Sequence, residues 1–188
     1  MIEEAKAQLL HLFFLDAAHF VYRPFLGYLY SFTTLFVKAS AGRKRYNVLG
    51  ALNAITKEIF TFSNFSYINS YSVCELMDKL KTHYRDLPIF IVLDNARYQK
   101  NQFVEAYAKS LNIQFVFLPP YSPNLNLIER VWRFVKKEAL YSTYYENFSD
   151  FTQAIDQCLQ DTKGKYNSEL ESLLSLNFQS FKNANIIP

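Results

Sequence analysis

Three carboxylates carry the chemistry this sequence offers, and two of them share a context. Asp16 closes the apolar run LLHLFFLD and Asp94 closes IFIVLD. Each reads as the last residue of a buried strand, and in α/β folds sites form at the carboxyl ends of strands. If the two strands are parallel neighbours, both carboxylates emerge at one edge of the sheet. Strands also end in acids simply to reach water, so either aspartate alone says little. Glu129 is the third acid. It lies in LPPYSPNLNLIERVWRF, where Pro119, Pro120 and Pro123 precede a helical pattern. Leu125, Ile128, Trp132 and Val135 repeat on one helical face. Glu129 then sits about 100° further round than Ile128, at the border of the buried face. The prolines keep the entering chain extended and remove backbone donors, which fixes where the helix starts. A surface ion pair between Glu129 and Arg133 is the plain alternative, worth a few tenths of a kcal/mol. Such a pair has no need of the prolines.

Three carboxylates without a histidine cluster favour hard, oxygen-seeking ions such as Mg²⁺ or Mn²⁺. Two such ions, roughly 3.5–4 Å apart, can activate an attacking oxygen and stabilise a leaving oxygen in phosphodiester chemistry.

The elements that must position these acids can be read from periodicity. Strand-like stretches run over residues 9–16, 29–37, 46–53, 58–62, 89–94 and 113–118, and helical spacing covers 69–84, 103–111, the segment from Leu125, 148–159 and 170–181. Short turns separate the early strands, and helices separate the later ones. That order specifies an α/β fold, a mixed sheet flanked by helices. The chain has 188 residues, enough for one domain with a sizeable core. Half of them are hydrophobic and 20% are charged, which excludes disorder as the ground state.

The formal charge of +3 does not by itself imply nucleic acid. Its distribution says more. Arg43, Lys44 and Arg45 form one cluster, with Lys38 before it, and Arg130, Arg133, Lys136 and Lys137 form another beside Glu129. Solvated surface is the plain reading of either cluster, and phosphate neutralisation is the functional one. Cys74 and Cys158 stand in no paired motif and read as free thiols of a reducing compartment. With three histidines and no zinc spacing, a Cys/His metal site is excluded. No apolar run approaches the roughly 20 residues of a membrane span, and the N-terminus is no signal peptide. A cytoplasmic protein is expected.

LDAAHF around Asp16, VLDNARYQ around Asp94 and LPPYSPNLNLIERVW around Glu129 resemble the three catalytic blocks of D-D-E transposases, in particular bacterial insertion-sequence transposases of the mariner superfamily. The 34 residues between Asp94 and Glu129 match the spacing common there, and RYNVLGALN resembles the second-strand region. The resemblance spans about residues 9–140 and weakens through the C-terminal helices. It implies a ribonuclease H-like fold with a mixed five-stranded sheet flanked by helices. It also implies an Asp16, Asp94, Glu129 triad holding two Mg²⁺ or Mn²⁺ ions, with Asn95 and Asn126 supporting the acids. Arg43, Lys44, Arg45, Arg133, Lys136 and Lys137 become candidate DNA contacts. The implied partners are transposon ends and target DNA, a separate helix-turn-helix chain and a second copy of this chain. His19 lies near the first acid, where relatives vary. Tyr98 stands where many relatives carry histidine.

The helix-turn-helix region usual in such proteins does not fit before Asp16. The expectation is therefore one catalytic domain over residues 1–188, with a core of about 9–140 and closing helices at about 148–181. The activity expected is metal-dependent strand cleavage and strand transfer. Two alternatives stay open: a ribonuclease H-like nuclease without strand transfer, and an inactive DNA-binding remnant that interferes with full-length transposase.

Overall fold

A computed structural model of the chain describes residues 1–22, 32–33, 44–96, 98–120 and 122–176. Of the strand expected at 29–37 only Phe32 and Thr33 are described, and they lie in a bend; Lys38 and Arg43 lie outside the described residues, and the helix expected at 170–181 ends at Leu173.

Five strands form one mixed sheet in the order β3-β2-β1-β4-β5. They are β1 (His11–Val21), β2 (Arg45–Asn53), β3 (Ile59–Asn64), β4 (Ile89–Leu93) and β5 (Ile113–Phe117). β1, β2 and β3 are antiparallel, the last two joined by a short connection, whereas β4 and β5 run parallel to β1 after helical crossovers. The helices are α1 (Ile2–Lys6), α2 (Ser70–His83), α3 (Gln102–Ser110), α4 (Ile128–Val135), α5 (Phe148–Gln160) and α6 (Asn167–Leu173).

The central strands are apolar at successive positions because both faces are covered. On one face Phe13, Leu15, Leu49 and Ile91 meet Val73, Leu76, Met77 and Leu80 of α2 and Val104 of α3. On the other, Leu12, Phe14, Phe20, Val48 and Val92 belong to a core with Ile128, Val131, Trp132 and Val135 of α4 and Phe151 and Ile155 of α5. Three helix starts have a local cause. Asn69, Asn101 and Asn147 cap α2, α3 and α5, each side chain accepting a backbone N–H of the first turn.

Two expectations change. The first concerns Asp16, which does not end its strand. β1 continues to Val21, because its antiparallel ladder with β2 runs on to Val21↔Arg45 after the parallel ladder with β4 has stopped at Phe14↔Val92. The second concerns the helix expected from Leu125. There the chain makes a 3₁₀ turn, Pro123–Leu125, and α4 begins only at Ile128. Between them Asn126 is drawn out of helical geometry, its Nδ2 donating to the Leu15 carbonyl at 3.1 Å. After Val135 the helix widens into a π-helical turn, Lys136–Leu140, of the kind that marks a break in helical phase.

Candidate active site

Three elements deliver the three acids to one place. Continuing the β1–β4 ladder two residues beyond Phe14↔Val92 brings Asp16 level with Asp94. Both side chains then share the parity of Phe14 and Val92, which face α4. Glu129 stands in the first turn of α4, partly exposed, between buried Ile128 and Trp132. Asp16, Asp94 and Glu129 line one cavity of about 450 Å³ together with Asn95, Ala96, Leu118, Pro119, Pro120, Ser122 and Asn126. The proline segment therefore forms its rim. Neither Glu129 nor Arg133 forms an ion pair among the described residues.

Among the described residues, the electrostatics are those of neighbouring acids. Burial, then the Glu129 carboxylate and more weakly Asp94, push the Asp16 carboxyl up to about 7, against opposing hydrogen bonds from the Ala17 backbone and Trp132. Burial, with both aspartates, also raises the Tyr98 phenol beside them. Among the described residues no three acidic, histidine or cysteine side chains are drawn into a ready-made metal cluster.

The donors present fit a hard cation: three carboxylates in an all-oxygen setting, with no thiolate or imidazole among the lining residues. A second observation agrees. Asn126 lines the cavity and is buried, its Nδ2 is used on Leu15, and its Oδ1 has no hydrogen-bond partner among the described residues. A buried carbonyl oxygen without a partner costs about 1–3 kcal/mol, and an ordered water or an ion removes that cost.

Asn95 donates from Nδ2 to the Leu118 carbonyl at 2.8 Å, tying the loop after β4 to the start of the proline segment. His19 lies on the opposite face of β1 from Asp16 and faces Asn47, with Nδ1 and Oδ1 2.7 Å apart. Of the basic residues, Lys44 and Arg45 are exposed, and Lys44 Nζ lies 5.6 Å from the centre of the Phe148 ring. Arg133 is exposed and Lys136 is partly buried. Lys137 pairs with Glu138 at 2.9 Å and Glu169 at 3.3 Å. Arg130 donates from Nη1 to the Leu173 and Ser175 carbonyls, each at 2.9 Å, and so ties α4 to the segment after α6.

Three contributors escape motif reading. Trp132 Nε1 donates to Asp16 Oδ2 at 3.1 Å. Gly50, opposite Asp16 in the ladder, gives the indole its place: a Cβ there would lie 2.6 Å from Trp132 Cη2 and 2.8 Å from Ile128 Cδ1. Gln99 is fully buried; with its amide turned so that the nitrogen faces the carboxylate, it donates to Asp94 Oδ1 at 2.6 Å and to the Asp94 carbonyl at 2.9 Å, the orientation that satisfies both ends of the amide. A lone glycine inside a strand pattern is a signal of close approach, and Gly50 could have been found that way. Trp132 and Gln99 carry no such signal.

The sequence profile of the DDE superfamily endonucleases matches residues 11–152, from the start of β1 into α5, and takes in all three acids. The chain belongs to that family. The endonuclease domain also shares its fold with solved proteins. It matches the Mos1 transposase paired-end complex with the left transposon end at a TM-score of 0.59 and 13% identity, over 96% of this chain and 59% of that one. The match to the simian T-cell lymphotropic virus intasome in complex with PP2A regulatory subunit B56 gamma has a TM-score of 0.59 and 19% identity, over 83% of this chain and 50% of that one. The HTLV-2 integrase catalytic core in complex with magnesium matches at 0.53 and 13%, over 82% and 86% of the two chains. These likenesses bear out the ribonuclease H-like fold, and the endonuclease domain spans only about half to three-fifths of the first two proteins. No curated protein sequence is significantly similar to it. No described helix is long and apolar enough to cross a membrane.

Proposed function

We propose that this endonuclease domain is the catalytic domain of a bacterial insertion-sequence transposase of the mariner superfamily, cleaving DNA at element ends and joining the freed ends to target DNA. The observation that carries the reading is the convergence of Asp16, Asp94 and Glu129, from three separate elements, on one open cavity that Asn126 also lines. Asp16, Asp94 and Glu129 hold two Mg²⁺ or Mn²⁺ ions in this reading, and magnesium in the HTLV-2 integrase core favours the choice of ion. Divalent ions so held activate the attacking oxygen and stabilise the leaving oxygen of an in-line displacement.

The chain's own residues orient and shield. Gln99 and the Ala96 backbone N–H both donate to Asp94 Oδ1, which leaves Oδ2 for the cavity. Asn95 fixes the rim through Leu118. Lys44, Arg45 and Arg133 are exposed and neutralise phosphates, giving salt-sensitive binding with little sequence discrimination. Arg43 is assigned the same role from sequence. Lys136 and Lys137 contribute less, one partly buried and the other already paired with two glutamates. Reading of the terminal sequences falls to a helix-turn-helix region, and the cleavage complex contains two copies of the catalytic chain. The wider extent of the Mos1 chain and the paired ends in its complex support both assignments. The protein acts in the cytoplasm.

Nicking of supercoiled plasmid at low salt, with Mn²⁺, Mg²⁺ or EDTA, tests the proposal. Metal-dependent nicking that Asp94→Asn abolishes without loss of fold is the expected result. Nicking retained in Asp94→Asn removes that residue from the triad. A strand-transfer assay with pre-cleaved ends separates a transposase from a nuclease that only cuts.

A further inference from the structure

We infer that Trp132 is a positioning residue of the acidic site, whose indole N–H fixes one oxygen of Asp16 so that the carboxylate meets a divalent cation in a single orientation. This rests on the divalent-cation reading above.

Trp132 is 2% exposed, in the core between α4 and the sheet, with the Phe20 ring edge-on at 6.4 Å. A buried indole needs an acceptor for its one N–H, and the acceptor here is Asp16 Oδ2 at 3.1 Å. The contact spans 116 residues of sequence, so no local geometry enforces it. It exists because Gly50, directly across the ladder from Asp16, leaves a notch in the sheet that the six-membered ring fills.

The kind of donor matters. A lysine or arginine at this position would neutralise Asp16 and compete with a cation for it. The indole N–H holds one oxygen while leaving the full negative charge. Asp94 is treated alike, its Oδ1 held by the neutral Gln99 amide. Packing alone does not call for the N–H, since a phenylalanine ring would occupy most of the same space. The donor is therefore separable from the filler. Partners that orient a metal-binding side chain in this way are worth roughly 10–100-fold in metal affinity.

The experiment compares wild type, Trp132→Phe and Asp94→Asn by isothermal titration calorimetry with Mn²⁺, alongside thermal melts without metal. Trp132→Phe is expected to bind Mn²⁺ about tenfold or more weakly while melting close to wild type. Trp132 is also the one tryptophan of the chain, so wild-type emission reports on Asp16 directly. Mg²⁺ should change that emission saturably, and should not do so in Asp94→Asn. If Trp132→Phe does not fold, this titration decides, and unchanged emission on saturation with Mg²⁺ overturns the inference. Unaltered Mn²⁺ affinity in a folded Trp132→Phe overturns it alone, provided Asp94→Asn loses binding. No Mn²⁺ binding by the wild-type chain refutes the cation reading and the inference together.

Discussion

Replacing Gly50 with alanine adds one methyl group where the sheet and α4 are in closest contact. The new Cβ would stand 2.6 Å from Trp132 Cη2 and 2.8 Å from both Trp132 Cζ2 and Ile128 Cδ1. Neither neighbour is the loose end of a flexible side chain. Trp132 is a rigid ring at 2% exposure and Ile128 is fully buried, so relief requires α4 to rise from the sheet. Overpacking of this kind costs about 1–3 kcal/mol. Alanine in a strand regains roughly 0.5–1 kcal/mol of backbone entropy relative to glycine. The net loss expected is therefore about 1–2 kcal/mol, or roughly 2–8 °C in Tm for a domain of this size. The consequence for the site is larger than the consequence for the fold, because the helix that moves carries Glu129 and the ring that moves holds Asp16. Urea and thermal unfolding measure the first effect, and plasmid nicking with Mn²⁺ measures the second. A Gly50→Ala protein as stable as wild type, nicking at the same rate, would refute the claim that the Gly50 notch sets the height of α4.

Stability should also depend on pH in a direction opposite to that of a salt-bridged carboxylate. Asp16 has a folded pKa of about 7, above the ordinary aspartate value, so the folded state holds a proton that the unfolded state has already released. Without divalent ions, unfolding free energy should fall as pH rises from about 4 to 7 and level off above. Each tenfold difference in proton affinity is worth about 1.4 kcal/mol, which puts the whole effect at a few kcal/mol at most. Urea midpoints across that range, for wild type and Asp16→Asn, check this, and a slope that persists in the variant assigns the effect elsewhere. Asn126→Leu takes the donor from the Leu15 carbonyl, at about 1–3 kcal/mol, and also removes the buried Oδ1, which offsets much of that cost, so a net loss below about 1–2 kcal/mol is expected. Chemical denaturation measures it, and a loss above about 3 kcal/mol would mean that Asn126 does more than bond the Leu15 carbonyl.

Much of this architecture could be read from residue pattern, and the misses have physical causes. β4 and β5 are apolar on both faces, and runs such as IFIVL admit few other readings. β1 was legible up to Asp16 and no further. An acid inside a strand is unexpected unless something buried receives it, and what receives it here, Trp132, lies on another element. The alternation of buried Ala18 and Phe20 with more exposed neighbours was the available sign that the strand went on. Glu129 falls at the border of the buried face of α4, as helical phase, a local property, specified. Gln99 was not found, since its hydrogen bonds to Asp94 depend on how the turn after β4 folds back. The late start of α4 likewise depends on Asn126 reaching across to Leu15, a contact between residues 111 positions apart.

That separation bears on when the protein becomes chemically competent. Asp16 and Asp94 become neighbours as soon as β1 and β4 pair, whereas Glu129 arrives only when the chain beyond β5 has docked. Chains fold broadly from the N-terminus as they are synthesised, and contacts this distant in sequence are slow to form. A nascent chain would therefore assemble its sheet, with two of the three acids in place, before the third can join them. Completion of the site is tied to completion of the fold, which spares nearby DNA from a half-made nuclease.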